Sequence, residues 1–318
     1  MVCGGTGGHV YPALAVAEQF SKDEIFFLGT QERLEAQLVA REGYLFHAIS
    51  AHRKNPLPII KGVFDALKVF LKERPGALFA TGGYVTIPAV LAALILRIPI
   101  FVQEQNALPG KVNRFIAMFA RKVFIAFPEA TRYFHKSAVV TSGNPLRQKI
   151  VGLYPQHKAK HKERFTVLVL GGSLGAEALD KVVAQIDWQA LQVDMIHLNI
   201  NYYVHDMAEV LQKADLAVCR AGALTLAELA VAGVPAILIP YPYAAEKHQD
   251  LNAQAYAAVG AAQVIDQTRL SPPLLTSIIS ALKSSPEKLT KMSEAMQQLA
   301  KPNASTEIAK VLRETINA

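Results

Sequence analysis

The stretch MVCGGTGGHV at residues 1–10 joins a short apolar strand to a helical pattern through a glycine-rich turn. The arrangement recurs at residues 165–176, where the apolar run FTVLVL leads into the turn GGSLGA. Glycine lets the backbone approach a ligand closely, and the free N–H groups of a helix N-terminus attract an anion. Finding this arrangement twice predicts two similar domains with a cleft between them.

Apolar strands alternate with helical patterns in both halves, which predicts an α/β fold with parallel sheets covered on both faces. The first half contains predicted strands at residues 1–3, 25–28, 45–49, 77–80, 100–102 and 123–126. The second half contains predicted strands at residues 165–170, 195–198, 216–219, 236–239 and 262–265. We expect an N-terminal domain at 1–144, a linker at 145–164, a C-terminal domain at 165–304 and a terminal helix at 305–318.

Two places in this pattern are unusual. The first glycine turn begins at Gly4, which leaves only a stub of strand before it. The strand at 195–198 runs almost directly into residues 201–204, although a crossover between parallel strands needs about a dozen residues or more. Either the protein lacks an element here or the sequence omits residues that belong to it.

Composition restricts the class of protein. The 318 residues are 51% hydrophobic and 19% charged, with a net charge of +7. A modest basic excess suits a phosphorylated ligand, an anionic membrane or nucleic acid. Nucleic acid is disfavoured because the only dense basic segment, residues 158–164, lies in the predicted linker. Cys3 and Cys219 each end an apolar strand, and we interpret them as buried, reduced thiols of a cytosolic protein.

The first glycine turn does not match the common nucleotide-binding motifs. Val10 occupies the place of the third glycine in GxGxxG, and Leu28 is followed by Gly29-Thr30 instead of a ribose-binding acid. The chain has no GxxxxGK[ST] motif. These departures disfavour nicotinamide and ATP sites and leave backbone contacts to a phosphate or a sugar. The alternative is that the glycines only permit tight turns.

His9 and Glu104 are the candidate catalytic bases. His9 lies at a helix N-terminus, which disfavours its protonated form, and at the carboxyl end of a strand, where ligands of open α/β sheets bind. Glu104 and Asn106 belong to the polar run 103–106 that follows an apolar strand. Burying such a run costs free energy unless it faces a cleft. The alternatives are that His9 is a structural histidine and that residues 103–106 form a polar loop.

The segment CRAGALTLAE at residues 219–228 is the most specific motif. A strand ends at Cys219, small residues turn, and the pattern predicts a helix that begins near Thr225 with Glu228 in its first turn. Glu228 could accept two hydrogen bonds from a ribose diol while Thr225 and nearby N–H groups hold a phosphate. The alternative is that Thr225 and Glu228 form a capping box.

Residues 57–72 form a further candidate interaction site. A helical core stripe is predicted for Ile60, Val63, Phe64, Leu67 and Leu71, widened by Ile59 and Phe70. A narrow strip beside it carries Lys61, Lys68 and Lys72. An apolar face edged by lysines suits an anionic membrane surface, and the alternative is a core helix with a solvated lysine face.

Six motifs in order resemble the MurG family of glycosyltransferases over nearly the whole chain. They are GGTGGHVYPALAVA at 4–17, ATGGYVTIPAVLAA at 80–93, QEQNALPGKVNR at 103–114, SGNPLR at 142–147, GGSLGA at 171–176 and CRAGALTLAELAVAGVPAILIPYP at 219–242. The resemblance implies a GT-B fold, in which two Rossmann-like domains face each other across a cleft and the C-terminal helix, residues 305–318, packs back on the N-terminal domain. It also implies inverting transfer of N-acetylglucosamine from its UDP donor to the 4-hydroxyl of the muramyl sugar of lipid I, which gives lipid II.

The resemblance also implies roles for individual residues. Donor contacts are implied for Thr6, Gly7, Gly8, Asn106, Arg147, Ser173, Val204, Ala223, Leu224, Thr225, Leu226, Ala227, Glu228 and Gln249. Glu228 would hold the ribose, Ser173 and the helix start at Thr225 would hold the diphosphate, and uracil would lie near Val204. A peripheral membrane contact at the cytoplasmic face of the bacterial membrane is implied for residues 57–72 with Lys111 and Arg114. No cofactor and no metal site are expected.

This chain departs from the family pattern at Gln103, where members usually carry His, and at Leu174, where they usually carry Gln. The missing crossover after Leu198 lies beside the implied nucleotide pocket. We expect an inverting displacement in which His9, with Glu104 as rival or helper, removes the proton of the attacking hydroxyl. The alternatives are another GT-B enzyme such as a UDP-sugar 2-epimerase, and a non-catalytic nucleotide-sugar-binding protein; a nicotinamide oxidoreductase is more distant.

Overall fold

The computed structural model describes residues 1–52, 56–134, 138–155, 164–171, 176–198 and 207–317. The chain divides into two compact units. Unit 1 combines Met1–Gln148 with Pro302–Ala318, and unit 2 is Lys149–Lys301. Unit 1 is therefore built from two segments that are separated in sequence by the whole of unit 2.

Helices and strands alternate along both units. The strands are β1 (Phe26–Gly29), β2 (Leu45–Ala48), β3 (Leu78–Ala80), β4 (Ile100–Glu104), β5 (Lys122–Ile125), β6 (Val139–Thr141), β7 (Phe165–Leu170), β8 (Val193–Leu198), β9 (Leu216–Cys219), β10 (Ala236–Leu238) and β11 (Ala262–Val264). The helices are α1 (Gly7–Ala17), α2 (Leu34–Arg41), α3 (Pro56–Glu73), α4 (Thr86–Ile95), α5 (Lys111–Ala117), α6 (Gln148–Val151), α7 (Glu177–Val183), α8 (Met207–Lys213), α9 (Ala223–Ala232), α10 (His248–Ala258), α11 (Pro272–Lys283), α12 (Pro286–Gln298) and α13 (Ala304–Ile316).

The sheet of unit 1 is parallel and is joined at its centre by a single residue. Strand β1 pairs with β2, and β3, β4, β5 and β6 pair in that order. Val2 forms parallel bridges to Leu28 on one side and to Ala80 on the other. The predicted opening strand is thus reduced to a bridge, and the strand order reverses where the chain passes from β2 to β3.

The sheet of unit 2 has the parallel order β11-β10-β9-β7-β8. The chain places β8 on one side of β7 and then returns β9 to the other side, with α8 between them. The strand order therefore reverses between β7 and β9. Ligands of open α/β sheets bind outside the carboxyl ends of the strands at such a reversal point, so each unit has one favoured position for a site.

Alternating strand residues build two apolar layers in unit 1. Leu28 and Ala80 point to the layer that contains α3 and α4 residues such as Phe70 and Ala89. The opposite layer gathers α1, α2 and the strand phenylalanines, and it includes Ile308 of α13. The period of two along each strand explains why both faces of the sheet need helices.

The two-domain parallel α/β class predicted from the sequence is confirmed, and the predicted strands agree closely with those observed. Strand β6 was not predicted, because VVT is short and follows no helical pattern. The predicted linker contains α6, and its residues 156–163 lie outside the described part of the chain. Cys3 and Cys219 are buried as predicted, and burial raises the pKa of both thiols to about 12.

Within the ranges that the structure describes, no helix is both long and apolar enough to cross a membrane.

Candidate active site

The first glycine turn lies at the reversal point of unit 1 and is packed against the loop after β3. A Cβ atom added at Gly4 would lie 2.3 Å from Cγ1 of Val85, and one added at Gly83 would lie 2.3 Å from the carbonyl oxygen of Gly4. Glu35, fully buried on α2, accepts hydrogen bonds from the N–H of Gly5 and from the hydroxyl of Thr30. The turn that leads into α1 is therefore fixed from two sides.

His9 is joined to the end of β3 by two hydrogen bonds with Thr81. Nδ1 of His9 lies 2.9 Å from the carbonyl oxygen of Thr81, and the hydroxyl of Thr81 donates to the carbonyl oxygen of His9 at 2.6 Å. A carbonyl oxygen only accepts, so we assign the proton of the neutral imidazole to Nδ1. Nε2 then carries the lone pair, which is the tautomer that a proton acceptor needs.

The polar residues 103–105, which are the last two residues of β4 and the residue after it, are buried and join neighbouring strand ends. Gln103, Glu104 and Gln105 are at most 2% exposed. Gln105 donates from Nε2 to the carbonyl oxygen of Thr81 at 2.8 Å, and Gln103 donates from Nε2 to Oδ1 of Asn144 at 3.0 Å. The same Thr81 carbonyl thus receives both Gln105 and His9, so the polar run reaches the candidate base through one oxygen.

The contacts of Glu104 favour a structural role over that of a base. Its Oε1 accepts from the N–H and side-chain amide of Asn106, and its Oε2 accepts from the N–H of Gly110 and the side-chain amide of Asn113. Burial raises the pKa of this carboxyl, and the four donors oppose that shift. Both oxygens are occupied in shaping the loop between β4 and α5, which disfavours proton abstraction from a substrate.

Three buried side chains of this site were not singled out from the sequence: Glu35, Asn113 and Asn144. Glu35 and Asn113 lie on helices, where a single polar residue on the inner face resembles a surface residue until the packing is known. Asn144 follows β6, and a prediction of that strand would have placed it at the same sheet edge as Thr81 and Gln105. The usable signal was therefore a polar residue directly after each parallel strand.

The second motif lies at the reversal point of unit 2. Leu170 at the end of β7 pairs with Cys219 at the end of β9, so the turns after the two strands start side by side. Helix α9 begins at Ala223 with Gly222 as its N-cap, and no side chain caps it. The capping-box interpretation of Thr225 and Glu228 is therefore wrong.

The helix start also corrects the predicted positions of two residues. Thr225 is the third residue of α9, and Glu228 is the sixth, so Glu228 lies in the second turn instead of the first. Both are half-buried, as are Leu224 and Ala227, whereas Ala223 and Leu226 are buried. The cap residue contributes no side-chain acceptor, and the N–H groups of the first turn point out of the helix N-terminus, the direction from which an anion would approach.

Arg220 fixes the turn that precedes α9. Its Nη1 donates to the carbonyl oxygens of Ile239 and Pro240, and its Nη2 donates to Oε1 of Gln267 at 2.6 Å. Asn252, fully buried on α10, donates to the carbonyl oxygen of Ala221 at 3.1 Å. The turn is therefore held by two side chains that come from outside α9.

Gln249, the second residue of α10, contacts the chain that follows β10. Gln249 accepts a hydrogen bond from the N–H of Tyr241 at 2.9 Å. Glu246 and Lys247 have left-handed φ angles of 53° and 56°, which are costly for residues with a side chain. These two residues directly precede α10, which contains Gln249.

The remaining predicted residues fall into two groups. Thr6 is the N-cap residue of α1, and Gly7 and Gly8 are the first two residues of that helix. The N–H of Asn106 donates to Glu104, and the guanidinium carbon of Arg147 lies 5.2 Å from the ring centre of Tyr11. Ser173 and Leu174 lie within residues 172–175, and Val204 lies within residues 199–206. Both segments are outside the described residues.

Helix α3 carries apolar residues on two opposite sides. Gly62, Ala66 and Phe70 face the core, with Val63 and Leu67 packed at its border. Leu57, Ile60, Phe64 and Leu71 are 56% to 71% exposed, and their spacing places them on one stripe. The prediction that Ile60, Phe64 and Leu71 belong to a core stripe is wrong, because that side of the helix faces away from the sheet.

The exposed surface extends over neighbouring helices. Helix α4 packs against both α3 and α5, and Ile95, Phe115, Met118 and Phe119 are also exposed. Basic residues on these helices are Lys61, Lys68, Lys72, Lys111 and Arg114, of which Arg114 is half-buried. The apolar Ile59 of α3 is also half-buried. We call the exposed apolar residues of α3 and those of residues 95–119 the apolar surface of unit 1.

Comparisons with known proteins match both units. The model of the glycosyltransferase family 28 N-terminal domain matches residues 1–125, and that of the C-terminal domain matches residues 186–308. The Myxococcus xanthus (strain DK1622) protein named UDP-N-acetylglucosamine--N-acetylmuramyl-(pentapeptide) pyrophosphoryl-undecaprenol N-acetylglucosamine transferase is 35% identical, over 97% of this chain and 90% of its own. The crystal structure of Acinetobacter baumannii MurG superposes with a TM-score of 0.80 at 31% identity, over 99% of this chain and 98% of that one.

The chain belongs to the MurG family. The fold is accordingly the GT-B fold that the resemblance implied. A putative UDP-N-acetylglucosamine 2-epimerase from Listeria monocytogenes has a TM-score of 0.66 at 13% identity, covering 97% of this chain and 93% of that one, and this likeness shows the fold alone.

The alignment with the Myxococcus member of the MurG family is longer than this chain. It runs over 346 residues, whereas this chain has 318. The relative therefore carries residues that this sequence lacks. Between β8 and β9 the structure has α8 as the crossover, and residues 199–206, where the sequence predicted a missing crossover, lie outside the described residues.

Proposed function

We propose that this protein transfers N-acetylglucosamine from UDP-N-acetylglucosamine to the 4-hydroxyl of the muramyl sugar of lipid I, giving lipid II. The observation that carries the proposal is the similarity, along nearly the full chain, to relatives named for this reaction. The geometry of His9 and of the α9 N-terminus supports it, because one supplies a proton acceptor and the other an anion site.

In the proposed mechanism, unit 1 supplies the base. Nε2 of His9 takes the proton of the 4-hydroxyl as its oxygen attacks the anomeric carbon of N-acetylglucosamine. The new C–O bond forms opposite the bond to UDP, which breaks and leaves with its electron pair, so the configuration inverts. The hydrogen bond from Nδ1 to Thr81 holds the imidazole in the tautomer that this step needs.

Unit 2 holds the donor in the same mechanism. The N–H groups at the start of α9 and the turn that contains Ser173 bind the diphosphate and stabilise the charge that develops on leaving UDP. Glu228 accepts hydrogen bonds from the ribose diol, Gln249 contacts the sugar, and Val204 lies near uracil. Asn106 and Arg147, with residues 6–8, complete the contacts to the donor from unit 1.

The decisive experiment measures radiolabelled sugar transfer from UDP-N-acetylglucosamine to a lipid I analogue. Replacement of the base, His9→Ala, is expected to lower kcat by about 100-fold or more while the KM for the donor changes little. Glu228→Ala is expected to raise the donor KM by about tenfold, because a charge-assisted hydrogen bond contributes about 1.5 kcal/mol or more.

Two results of this experiment would contradict the residue roles in the proposed mechanism. Near-normal kcat in His9→Ala would remove His9 as the base, and an unchanged donor KM in Glu228→Ala would remove the ribose contact. Binding of UDP-N-acetylglucosamine without any transfer by the wild-type protein would instead indicate a non-catalytic binding protein.

We further propose that the apolar surface of unit 1 rests on the cytoplasmic face of the bacterial membrane, where the lipid-linked acceptor lies. Four large side chains on one stripe of α3 are exposed, and Lys61, Lys68 and Lys72 follow its edge. Apolar side chains that enter the headgroup boundary beside basic residues fit a peripheral contact with anionic lipid.

Sedimentation with vesicles tests this contact. Phe64→Glu is expected to reduce binding to anionic vesicles strongly, and Val259→Glu, at a similarly exposed residue of unit 2, is the matched control. Binding should also decrease with salt and be weak to neutral vesicles. Equal binding by Phe64→Glu and the wild-type protein would assign the surface to another partner.

A further inference from the structure

The carboxamide side chains behind His9 form a closed buried arrangement. Gln103 donates from Nε2 to Oδ1 of Asn144 at 3.0 Å, and Asn144 donates from Nδ2 to the carbonyl oxygen of Gln105 at 3.1 Å. Gln105 donates from its own Nε2 back to Oε1 of Gln103. The three side chains are 0%, 4% and 2% exposed, so water does not compete with these bonds.

An additional hydrogen bond connects this closed arrangement to the carbonyl oxygen of Thr81. Nε2 of Gln105 donates to that oxygen at 2.8 Å, next to Nδ1 of His9 at 2.9 Å. Oε1 of Gln105 is buried and has no hydrogen-bond partner among the described residues. The orientation of the Gln105 amide is therefore set by its NH₂ group, which Gln103 and Thr81 hold.

We propose that Gln103 is a positioning residue that fixes the tautomer and orientation of His9 through Gln105 and the carbonyl group of Thr81. Its Oε1 holds the Gln105 amide, and its Nε2 anchors the arrangement on Asn144. Gln105 in turn keeps the Thr81 carbonyl where His9 Nδ1 can donate to it. The proposal rests on the proposed function only for the consequence in turnover, since the tautomer of His9 can be observed without a reaction.

Two substitutions at the same position separate hydrogen bonding from packing. Gln103→Met keeps a side chain of similar length but has neither the strong donor nor the strong acceptor of the amide. Gln103→His keeps one donor and one acceptor, because neutral imidazole has both. Gln105→Met is an independent variant that removes the bond to Thr81 directly and carries the test if Gln103→Met does not fold.

The first measurement is the tautomer of His9 in the full chain labelled with ¹⁵N-histidine. Loss of one signal in His9→Gln assigns His9 among the nine histidines. The wild-type protein is expected to show the tautomer with the proton on Nδ1, and Gln103→Met and Gln105→Met a mixture of both. Gln103→His should show the same His9 tautomer as the wild-type protein.

The second measurement is transfer to the lipid I analogue. Relative to the wild-type protein, Gln103→Met is expected to lower kcat about tenfold and to change the donor KM by less than about twofold. Gln103→His is expected to keep most of the wild-type kcat. An unchanged tautomer in both methionine variants would overturn the positioning role. Normal turnover in His9→Gln would instead remove His9 as the base of the proposed mechanism, while the tautomer measurement would still decide the role of Gln103.

Discussion

At the scale of single residues, the surroundings of His9 leave little free volume. Gly82 has a φ of +110°, and a Cβ atom there would lie 3.0 Å from Cε1 of His9 and 3.0 Å from Oδ1 of Asn113. The absence of a side chain at Gly82 therefore permits the backbone turn after β3 and also leaves space for the imidazole ring of His9. A side chain at this residue would push the imidazole away from its hydrogen bond with Thr81.

Gly82→Ala is accordingly expected to lower kcat at least tenfold and to destabilise the fold by about 1 to 3 kcal/mol, since the backbone conformation is strained for alanine. Gly110→Ala is the matched control, because nothing lies within 4 Å of its added Cβ. Transfer assays and urea unfolding of both variants test this. Equal kcat in the two variants would contradict the close packing of Gly82 against His9.

Glu104 gives a pH-dependent prediction. Burial raises the pKa of Glu104 above its ordinary value of 4.5, so the folded protein holds this proton more tightly than the unfolded chain does. Its contribution to stability is complete below pH 4.5 and decreases as pH rises through the higher folded value.

Glu104→Gln removes this titration and also loses acceptors for the loop before α5. The free energy of unfolding of the wild-type protein minus that of the variant is expected to decrease as pH rises above 4.5. Urea unfolding at several pH values measures this difference. A difference that increases with pH would show that the four donors outweigh burial.

At the scale of elements, α9 depends on contacts outside itself. It has no side-chain cap, and Arg220 holds the preceding turn against the chain after β10 through Ile239 and Pro240. The planar guanidinium reaches those oxygens and Gln267 at once, which an ammonium group cannot reproduce. The proposed anion site at the start of α9 is therefore shaped by a residue that need not touch the ligand.

Arg220→Met is expected to raise the donor KM about tenfold, because the first turn of α9 loses its fixed position and two carbonyl oxygens lose a charged donor. Arg269→Met, at an exposed arginine of the same unit, is the control. The transfer assay at varied donor concentration measures both. An effect on melting temperature without any effect on KM would limit Arg220 to a structural role.

At the scale of the molecule, unit 1 depends on a helix from the far end of the sequence. Ile308 and Leu312 of α13 are buried in the same layer as Val10 and Leu14 of α1. The hydroxyl of Ser305 also donates to the carbonyl oxygen of Leu146 at 3.0 Å. Helix α13 is therefore part of the core of unit 1.

Ile308→Ala is expected to destabilise unit 1 by about 2 to 5 kcal/mol, as for other buried aliphatic side chains. Hydrogen exchange should show reduced protection in Met1–Gln148 and little change in Lys149–Lys301. Lys310→Ala, at an exposed position of the same helix, should leave both units unchanged. Equal loss of protection in both units would show that they unfold as one.

The sequence allowed the fold class, most strands and the two reversal-point turns to be predicted, because strand and turn chemistry are local. It did not allow the direction of apolar faces to be predicted for α3, since a helix with apolar residues on two sides gives no unique inward face. The partners of Glu104 were also beyond prediction. Two of them come from Gly110 and Asn113, whose approach depends on how the loop after β4 folds back.

The split construction of unit 1 has a consequence for biosynthesis. A ribosome completes Lys149–Lys301 before it makes α13. The apolar layer that contains Val10 and Leu14 therefore lacks Ile308 and Leu312 while unit 2 is being synthesised. Uncovered apolar surface on a nascent chain is a target for chaperones and for aggregation. The part of the protein that is translated first is thus the part that matures later, and its quality control falls after the second unit has been synthesised.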